Sequence, residues 1–525
     1  MLSRIRSGAV LGIDAYEVEV EIDVSRGIQV FQIVGLPESA VREARVRLPS
    51  ALDNAGFEFP TRKLTVNLAP ADVRKDGTAF DLPMAMGILG AEEQVPLERD
   101  GRDLADYLLV GELGLNGEVR SVEGALPLAA LARDRGYRGI VLPRANAPEA
   151  AVVSDIEVLA VDHLTELTAH MRGECELEPV VAQRPSDEAF GARYPVDFDE
   201  VAGQGAVKRA LEVAAAGGHN VLLVGPPGSG KSMLAKRLPT ILPRMTFEEA
   251  LETTKIYSVT GQLGEHQGLI ERRPFRSPHH TISNVGVVGG GSGVPEPGEV
   301  TLAHNGVLFL DELPEFQRNV LEVLRQPLEE GEVTISRSLT TLTYPANVML
   351  VAAMNPCRCG YFGSDQNDCS CSVDEVQRYR NKISGPLMDR IDIHVEVPTV
   401  PYRKLKERRR GEPSSVIRQR VQRARDRQAE RFEGDDGFSN SQMRASDLQD
   451  YCEVDEVGHD LLEEVVDTLG MSARAYDRIL KVARTIADLE GADSIEATHL
   501  SEAVQYRCLD RDLERSGPGR SFGTA

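Results

Sequence analysis

The sequence predicts an α/β protein with a parallel-sheet core, preceded by an α+β part and followed by a helical part. Three observations carry that reading. The stretch "VLLVGPPGSGKS" (221–232) runs an apolar strand straight into a glycine-rich loop. Two more apolar strands, "GVLFLDE" (306–312) and "NVMLVAAMN" (347–355), are of the kind found in a parallel sheet covered on both faces. Strand-like alternation fills residues 5–35, whereas charged helical sequence takes over beyond residue 400.

Taken in order, "YEVEVEIDV" (16–24) and "GIQVFQIVGLP" read as strands, "ESAVREARVRLPSALDNAG" as a helix and "KLTVNLAP" as a strand. "FDLPMAMGILGAEE" reads as a buried helix, "YLLVGELGLNGEVR" as two strands about a turn, and "ALPLAALARDRGYRGIVLP" as helix, turn and strand. These define a first domain over 1–172. Residues 173–196, acidic and aperiodic, read as a linker. The core then spans 197–400, a helical domain 401–510, and a disordered tail 511–525. No internal repeat is evident.

A length of 525 residues suits about three domains. Hydrophobic residues at 41% and charged residues at 27% are those of an ordinary globular chain. The net charge of −23 excludes a uniformly basic nucleic-acid binder, so any DNA contact needs a local basic surface. The N-terminus lacks the apolar segment of a signal peptide, and no apolar run nears the roughly 20 residues of a membrane span. A cytoplasmic protein with no membrane partner is expected.

The loop matches G-x-x-x-x-G-K-[ST] between a strand and a helix, a strong signal. Its residues Gly225, Pro226, Pro227, Gly228, Ser229, Gly230, Lys231 and Ser232 are the expected phosphate site. The glycines let backbone N–H groups approach the phosphates, and the helix N-terminus adds positive potential. Lys231 reaches the β- and γ-phosphates, and Ser232 coordinates Mg²⁺. The strand ending in Asp311 and Glu312 supplies a second metal contact and a group to polarise water. Asn355, at the end of the next apolar strand, is placed to hold that water. Arg390 in "GPLMDRIDIHVEVP" is a charge donor to a neighbouring subunit's γ-phosphate, and Arg474 a phosphate contact in cis, with Arg478 its rival one turn on.

The ordered set of loop, Asp-Glu, Asn355, Arg390 and Arg474 resembles an AAA+ ATPase. Three stretches narrow the resemblance to the magnesium-chelatase-like YifB/ComM family: "RPFRSPHHTIS" (273–283), "PGEVTLAHNGVLFLDELPEF" (297–316) and "MNPCRCGYFG" (354–363). It covers roughly residues 5–510. The resemblance implies a homo-hexameric ATPase using ATP and Mg²⁺. The family's ComM members act as DNA helicases, promoting branch migration as incoming DNA is integrated in natural transformation. Branched or single-stranded DNA is then the expected partner. In this clade inserted hairpins line the ring's pore; the candidates are the Gly-rich stretch about 256–300 and residues 331–347. Arg337 in the latter is a DNA-backbone contact or a solvated hairpin residue. The alternative is a chelatase-type ATPase that remodels a protein partner or drives metal insertion, although true chelatases need large partner subunits.

The stretch "KDGTAFDLP" (75–83) resembles the loop that carries the nucleophilic serine of Lon-type proteases. Here Ala79 stands in the serine's place, and the later helix "VEGALPLAALARDR" (122–135) contains no lysine, so both halves of a Ser–Lys dyad are missing. The first domain is expected to be a non-proteolytic relative of the Lon and ribosomal S5-like fold. Lys75 and Asp76 are read as turn residues, and the domain as a DNA- or partner-binding module or a ring-stabilising platform.

Of seven cysteines, Cys357, Cys359, Cys369 and Cys371 fall within 15 residues. Four thiolates can bind tetrahedral Zn²⁺, although C-x-C pairs are tighter than the usual C-x₂₋₄-C spacing; a reduced or redox-sensitive loop is the other reading. Residues 403–431 hold twelve Lys/Arg against four Asp/Glu. That excess is a solvated helix face or a set of phosphate contacts.

Overall fold

A computed structural model describes the chain except for residues 1, 76, 100, 182–193, 265–266, 292–293, 338–340, 365–366, 402–410, 433–437, 470–471 and 508–525, and the side chains of 102 and 466–469. Half of the linker expected at 173–196, residues 182–193, lies outside the described residues, and the tail expected at 511–525 wholly so. The described residues form two compact units. One comprises 1–186 with 250–270; the other comprises 187–249 with 271–525. Part of the stretch 256–300, read as an insertion of the core, therefore groups with the first unit.

The first unit holds a seven-stranded sheet. Its elements are β1 (Leu2–Leu11), β2 (Asp14–Ser25), β3 (Val30–Val34), α1 (Ser39–Asn54), β4 (Lys63–Ala69), α2 (Asp81–Ala91), β5 (Tyr107–Leu109), α3 (Ala125–Asp134), β6 (Gly139–Pro143), β7 (Glu157–Val161) and α4 (Leu164–Arg172). The strand order is β7-β6-β5-β1-β2-β4-β3. The β1–β2 hairpin closes with Leu11 opposite Asp14, and Gly12 takes the positive φ of 71° that so short a turn requires. Its register sets Ile5 beside Val20, both fully buried. Helix α2 buries ten of its eleven residues, which is why its sequence is apolar on every side rather than along one stripe.

Two readings of "KDGTAFDLP" meet the structure here. The backbone carbonyl of Ala79 accepts a hydrogen bond from Gly111 N–H at 2.8 Å, and its side chain offers no nucleophile. Lys75, read as a turn residue, is corrected: it pairs with Pro37 in an isolated bridge and is fully buried. Its ammonium donates to the carbonyls of Pro70 and Val73, the latter at 2.7 Å, which satisfies a charge that water cannot reach. Asp76 lies outside the described residues.

The second unit contains α5 (Gly205–Gly217), β8 (Val221–Val224), α6 (Lys231–Arg237), β9 (Phe275–Arg276), β10 (Val307–Leu310), β11 (Glu332–Ser336), β12 (Thr341–Pro345), β13 (Met349–Met354), α7 (Val373–Arg380), β14 (Ile393–Glu396), α8 (Ser414–Arg431), α9 (Ala445–Tyr451), α10 (Glu456–Leu469), α11 (Ala473–Glu490) and α12 (Ala497–Gln505). Five strands form a parallel sheet in the order β9-β10-β13-β8-β14. Strand β8 therefore lies between two strands that follow it in sequence, and the chain order reverses there. Such a switch point opens a crevice at the strands' carboxyl ends. The sequence reading missed β9, which is only two residues long. Strands β11 and β12 pair antiparallel, with Val333, Ile335 and Tyr344 buried on one face.

Helices α8, α11 and α12 share one apolar core with α5 and the sheet: Ile417, Val421, Ile479, Ile486 and Leu500 pack with Leu211, Ala214 and Val221. A charge cluster lies within this assembly. The fully buried carboxylate of Asp488 accepts from Arg431 at 2.9 Å, Arg484 at 3.2 Å and Asn440 at 2.8 Å. Removing one member of such a set strands the rest, at a cost of about 3–5 kcal/mol. Asp488→Ala is expected to lower the unfolding free energy by about that amount, read from urea unfolding curves. A loss below about 1 kcal/mol would mean that both arginines find other partners.

Candidate nucleotide site

The loop after β8 is shaped by close approach. Gly225 donates its N–H to Met354 O at 3.2 Å, and a Cβ there would meet Val397 O at 2.2 Å. Gly228 and Gly230 hold φ of +75° and +94°, open to glycine and strained for other residues. Lys231 is buried, and its ammonium donates to Gly225 O at 2.6 Å, Pro226 O at 3.0 Å and Asn355 Oδ1 at 3.2 Å. Burial pushes its pKa down, against the opposing pull of Asp311 and Glu312.

The fold brings Ser232 and Asp311 together across 79 residues: the hydroxyl donates to the carboxylate at 2.6 Å. A hydroxyl and a carboxylate oxygen are hard donors of the type Mg²⁺ takes. Glu312 follows in the left-handed region at φ 55°, an unusual conformation for a residue with a Cβ, and its exposed carboxylate projects from the strand end. Its backbone N–H is held by Asp311 Oδ1 at 3.0 Å. The buried Ser229 hydroxyl has no partner among the described residues, so a polar group of the loop is left for a bound anion. Glycine cradle, lysine and hydroxyl–carboxylate pair together fit a nucleoside triphosphate with its metal.

Two residues of this site had no role in the sequence reading. His280 places Nδ1 3.4 Å from Glu312 Oε2 and packs against His279, with ring centroids 4.1 Å apart and the rings tilted by 34°. Gln204, at φ 53°, donates to Ser229 O at 2.8 Å and to Pro398 O at 3.1 Å, tying the loop to the segment after β14. His280 falls within "RPFRSPHHTIS" and Gln204 near the start of the core, yet neither carries a local mark of its contact.

Arg390 and Arg474 are not brought to the loop. They line a cavity of about 560 Å³ together with Arg478, Asn220, Met349 and Asp392. The last three stand at the starts of β8, β13 and β14, whereas the loop, Asp311 and Asn355 follow strand ends. Since the strands are parallel, roughly 15 Å of strand separates the two groups. The cis role expected of Arg474 is thereby corrected: α11 starts beside the head of β14, with Arg474 exposed and 4.0 Å from Asp389. Arg478 pairs with Asp392 at 3.0 Å at this same end. Arg390 is held by Pro386 O at 2.6 Å and by Glu329.

The four clustered cysteines converge, with every sulfur within 4.8 Å of the others. In the basic stretch, residues 402–410 lie outside the description. Along α8, Arg420 pairs with Glu212 and Glu412, Arg427 with Asp493 and Arg431 with Asp488, so these arginines serve packing within the unit. Arg337 is exposed at the end of β11. No helix of the described residues is long and apolar enough to cross a membrane.

The five-stranded order, the loop after β8 and the acidic end of β10 define a P-loop nucleotide-binding fold of the AAA+ class. Comparison with known proteins agrees along most of the chain. Residues 197–405 match the family described as magnesium chelatase, subunit ChlI; residues 20–146 match subunit ChlI of Mg-chelatase; residues 411–507 match its C-terminal part. The chain is 44% identical over 513 residues to the YifB protein of Salmonella typhimurium, covering 98% of each. It is 43% identical over 518 residues to the competence protein ComM of Haemophilus influenzae, covering 98% of this chain and 99% of that one. The magnesium-chelatase 38 kDa subunit of Rhodobacter capsulatus is 26% identical over 195 residues, 34% of this chain and 55% of the subunit. The chain belongs to the YifB/ComM family of magnesium-chelatase-like AAA+ proteins, and that membership implies ATPase activity with ATP and Mg²⁺.

Proposed function

We propose that the protein is an ATP-hydrolysing motor that works as a cytoplasmic homo-hexamer on branched or single-stranded DNA. Its task on this reading is branch migration as incoming DNA recombines. The observation that carries the motor is the division of the site. Lys231, Ser232, Asp311, Glu312 and Asn355 stand at one end of the sheet, while Arg390 stands at the other. One chain cannot close its arginine on its own loop, so a second copy must supply it. When bound, ATP with Mg²⁺ supplies the phosphoanhydride whose cleavage drives the motion.

In this mechanism Lys231 exchanges the loop carbonyls for phosphate oxygens. Ser232 and Asp311 hold the metal, Glu312 polarises water, and Asn355 orients it. Arg390 stabilises charge on the neighbouring subunit's site, with Arg474 beside it on the same face. Hydrolysis then shifts one subunit against the next. The hairpin of β11 and β12, with Arg337, is a candidate for the pore. Residues 1–172 form on this reading a non-proteolytic Lon- and S5-like domain, followed by the 197–400 core and the 401–510 helical part.

DNA as the partner is supported by the near full-length similarity to a protein named for competence. The chelatase-type reading, a motor acting on a protein partner, draws support from the three chelatase-family matches. Hydrolysis measured alone, with single-stranded DNA and with a four-way junction separates the two. Stimulation by the junction is expected. A rate indifferent to every DNA would remove the DNA reading and leave the protein-partner motor.

A further inference from the structure

We propose that Cys357, Cys359, Cys369 and Cys371 form a mononuclear tetrathiolate zinc site that braces the phosphate loop. The sulfur of Cys357 lies 3.3 Å from Cys359 and 3.7 Å from Cys369, and Cys359 lies 3.5 Å from Cys369. All four sulfurs fall within 4.8 Å of one another. A tetrahedron with Zn–S bonds near 2.3 Å has edges of about 3.8 Å. The thiols already sit close to that figure, so the ion needs little rearrangement.

The spacing had suggested strain, because ligands two residues apart bring their backbones close. The fold answers with turns. Gly360 N–H bonds back to Cys357 O at 3.1 Å, and Gly360 takes φ +90°, which reverses the chain directly after the first pair. The second pair is fixed from behind: Ser372, next to Cys371, caps α7 in a reciprocal capping box with Glu375. Amide N–H groups point at the sulfurs. Phe362 N–H lies 3.3 Å from Cys357 Sγ, and the N–H groups of Tyr361 and Ser370 are directed at Cys359. Such outer donors neutralise part of the charge that four thiolates carry.

Ligand chemistry narrows the occupant. Four soft sulfurs in a tetrahedron select zinc or iron. A multinuclear iron–sulfur cluster places inorganic sulfide and several metal atoms between its cysteines, and sulfurs this close leave room for a single ion. Cys357 is fully buried and the other three are half-buried, so the site is closed, as in structural rather than catalytic zinc sites.

Its position gives it a consequence. Asn355 is two residues before Cys357. At Gly360, a Cβ would lie 2.6 Å from Pro227 Cδ, so the turn between the thiol pairs rests on the phosphate loop itself. An ion that fixes this turn also fixes one wall of the nucleotide site. The metal site itself does not depend on the proposed motor function, and its test reads the metal alone.

The test uses the full chain purified without chelators. Elemental analysis is expected to find one zinc per chain, released when a mercurial titrates four thiols. Refolding with Co²⁺ in place of zinc should give the intense sulfur-to-cobalt charge-transfer absorption of a tetrathiolate site. The Cys369→Ser, Cys371→Ser double variant should lose the metal, while Cys175→Ser, at an exposed cysteine outside the cluster, should keep it. Should the double variant fail to fold, the metal content and cobalt spectrum of the native chain still decide. A native chain free of zinc that takes up neither Zn²⁺ nor Co²⁺ overturns the site, and so does one zinc per chain that persists in the double variant. A red, iron-containing protein overturns the choice of metal.

Discussion

Glu312→Gln is expected to bind ATP as tightly as the native chain and to hydrolyse it about 10²-fold or more slowly. The glutamine keeps the size of the side chain and its polar reach but cannot take a proton from water. The neighbouring geometry is left in place, because the strained backbone at φ 55° is held by Asp311 and not by the Glu312 carboxylate. Binding rests on Lys231 and the loop, which the substitution does not touch. Fluorescent-nucleotide titration and single-turnover hydrolysis read the two quantities separately. A single-turnover rate within a few-fold of the native one would show that Glu312 is not the group that acts on water. Weakened binding with an unchanged rate would place it on the nucleotide instead.

Arg390→Ala is expected to lose about 10³-fold in hydrolysis while retaining nucleotide binding, the signature of an arginine that acts on charge developed at the γ-phosphate. The decisive measurement is mixing. Rings assembled from equal amounts of Arg390→Ala and Glu312→Gln contain interfaces where an intact Glu312 faces an intact Arg390. Random assembly makes these about a quarter of the total. Activity should return in the mixture although each variant alone is inactive. Glu329, the carboxylate partner, is exposed, but the Arg390 side chain is only 10% exposed and also donates to Pro386 O, so urea unfolding of the variant reads the structural cost separately from the loss of activity. A mixture as inactive as its parts would place Arg390 in a purely structural role.

Much of the site could be read from the sequence because its parts are local. A strand, a glycine-rich turn and a helix start fit within the twelve residues 221–232, and their backbone geometry depends on the residue types in that window. The same holds for Asp311 and Glu312 at an apolar strand end, and for four cysteines gathered within 15 residues. The lack of a hydroxyl at Ala79 is equally local, since it needs no structure to be seen. Arg474 was different. It sits on a strongly amphipathic helix whose polar face could meet several surfaces, and nothing within α11 says which end of the sheet that helix reaches.

The sequence by itself therefore determined the chemistry on offer: a phosphate loop, a hydroxyl and a carboxylate for a metal, an acid beside them, and four thiols in two pairs. Tertiary structure alone decided which of these meet. It joined Ser232 to Asp311 across 79 residues, set His280 against Glu312, and tied Gln204 to the loop. It also buried Lys75 under two carbonyls and sent Arg390 and Arg474 to the opposite end of the sheet. The reason is that turns and caps are fixed by dihedral preference and hydrogen bonds among near neighbours. Meetings between distant segments are fixed by strand order and by burial of apolar faces, which many side chains share and no single motif records.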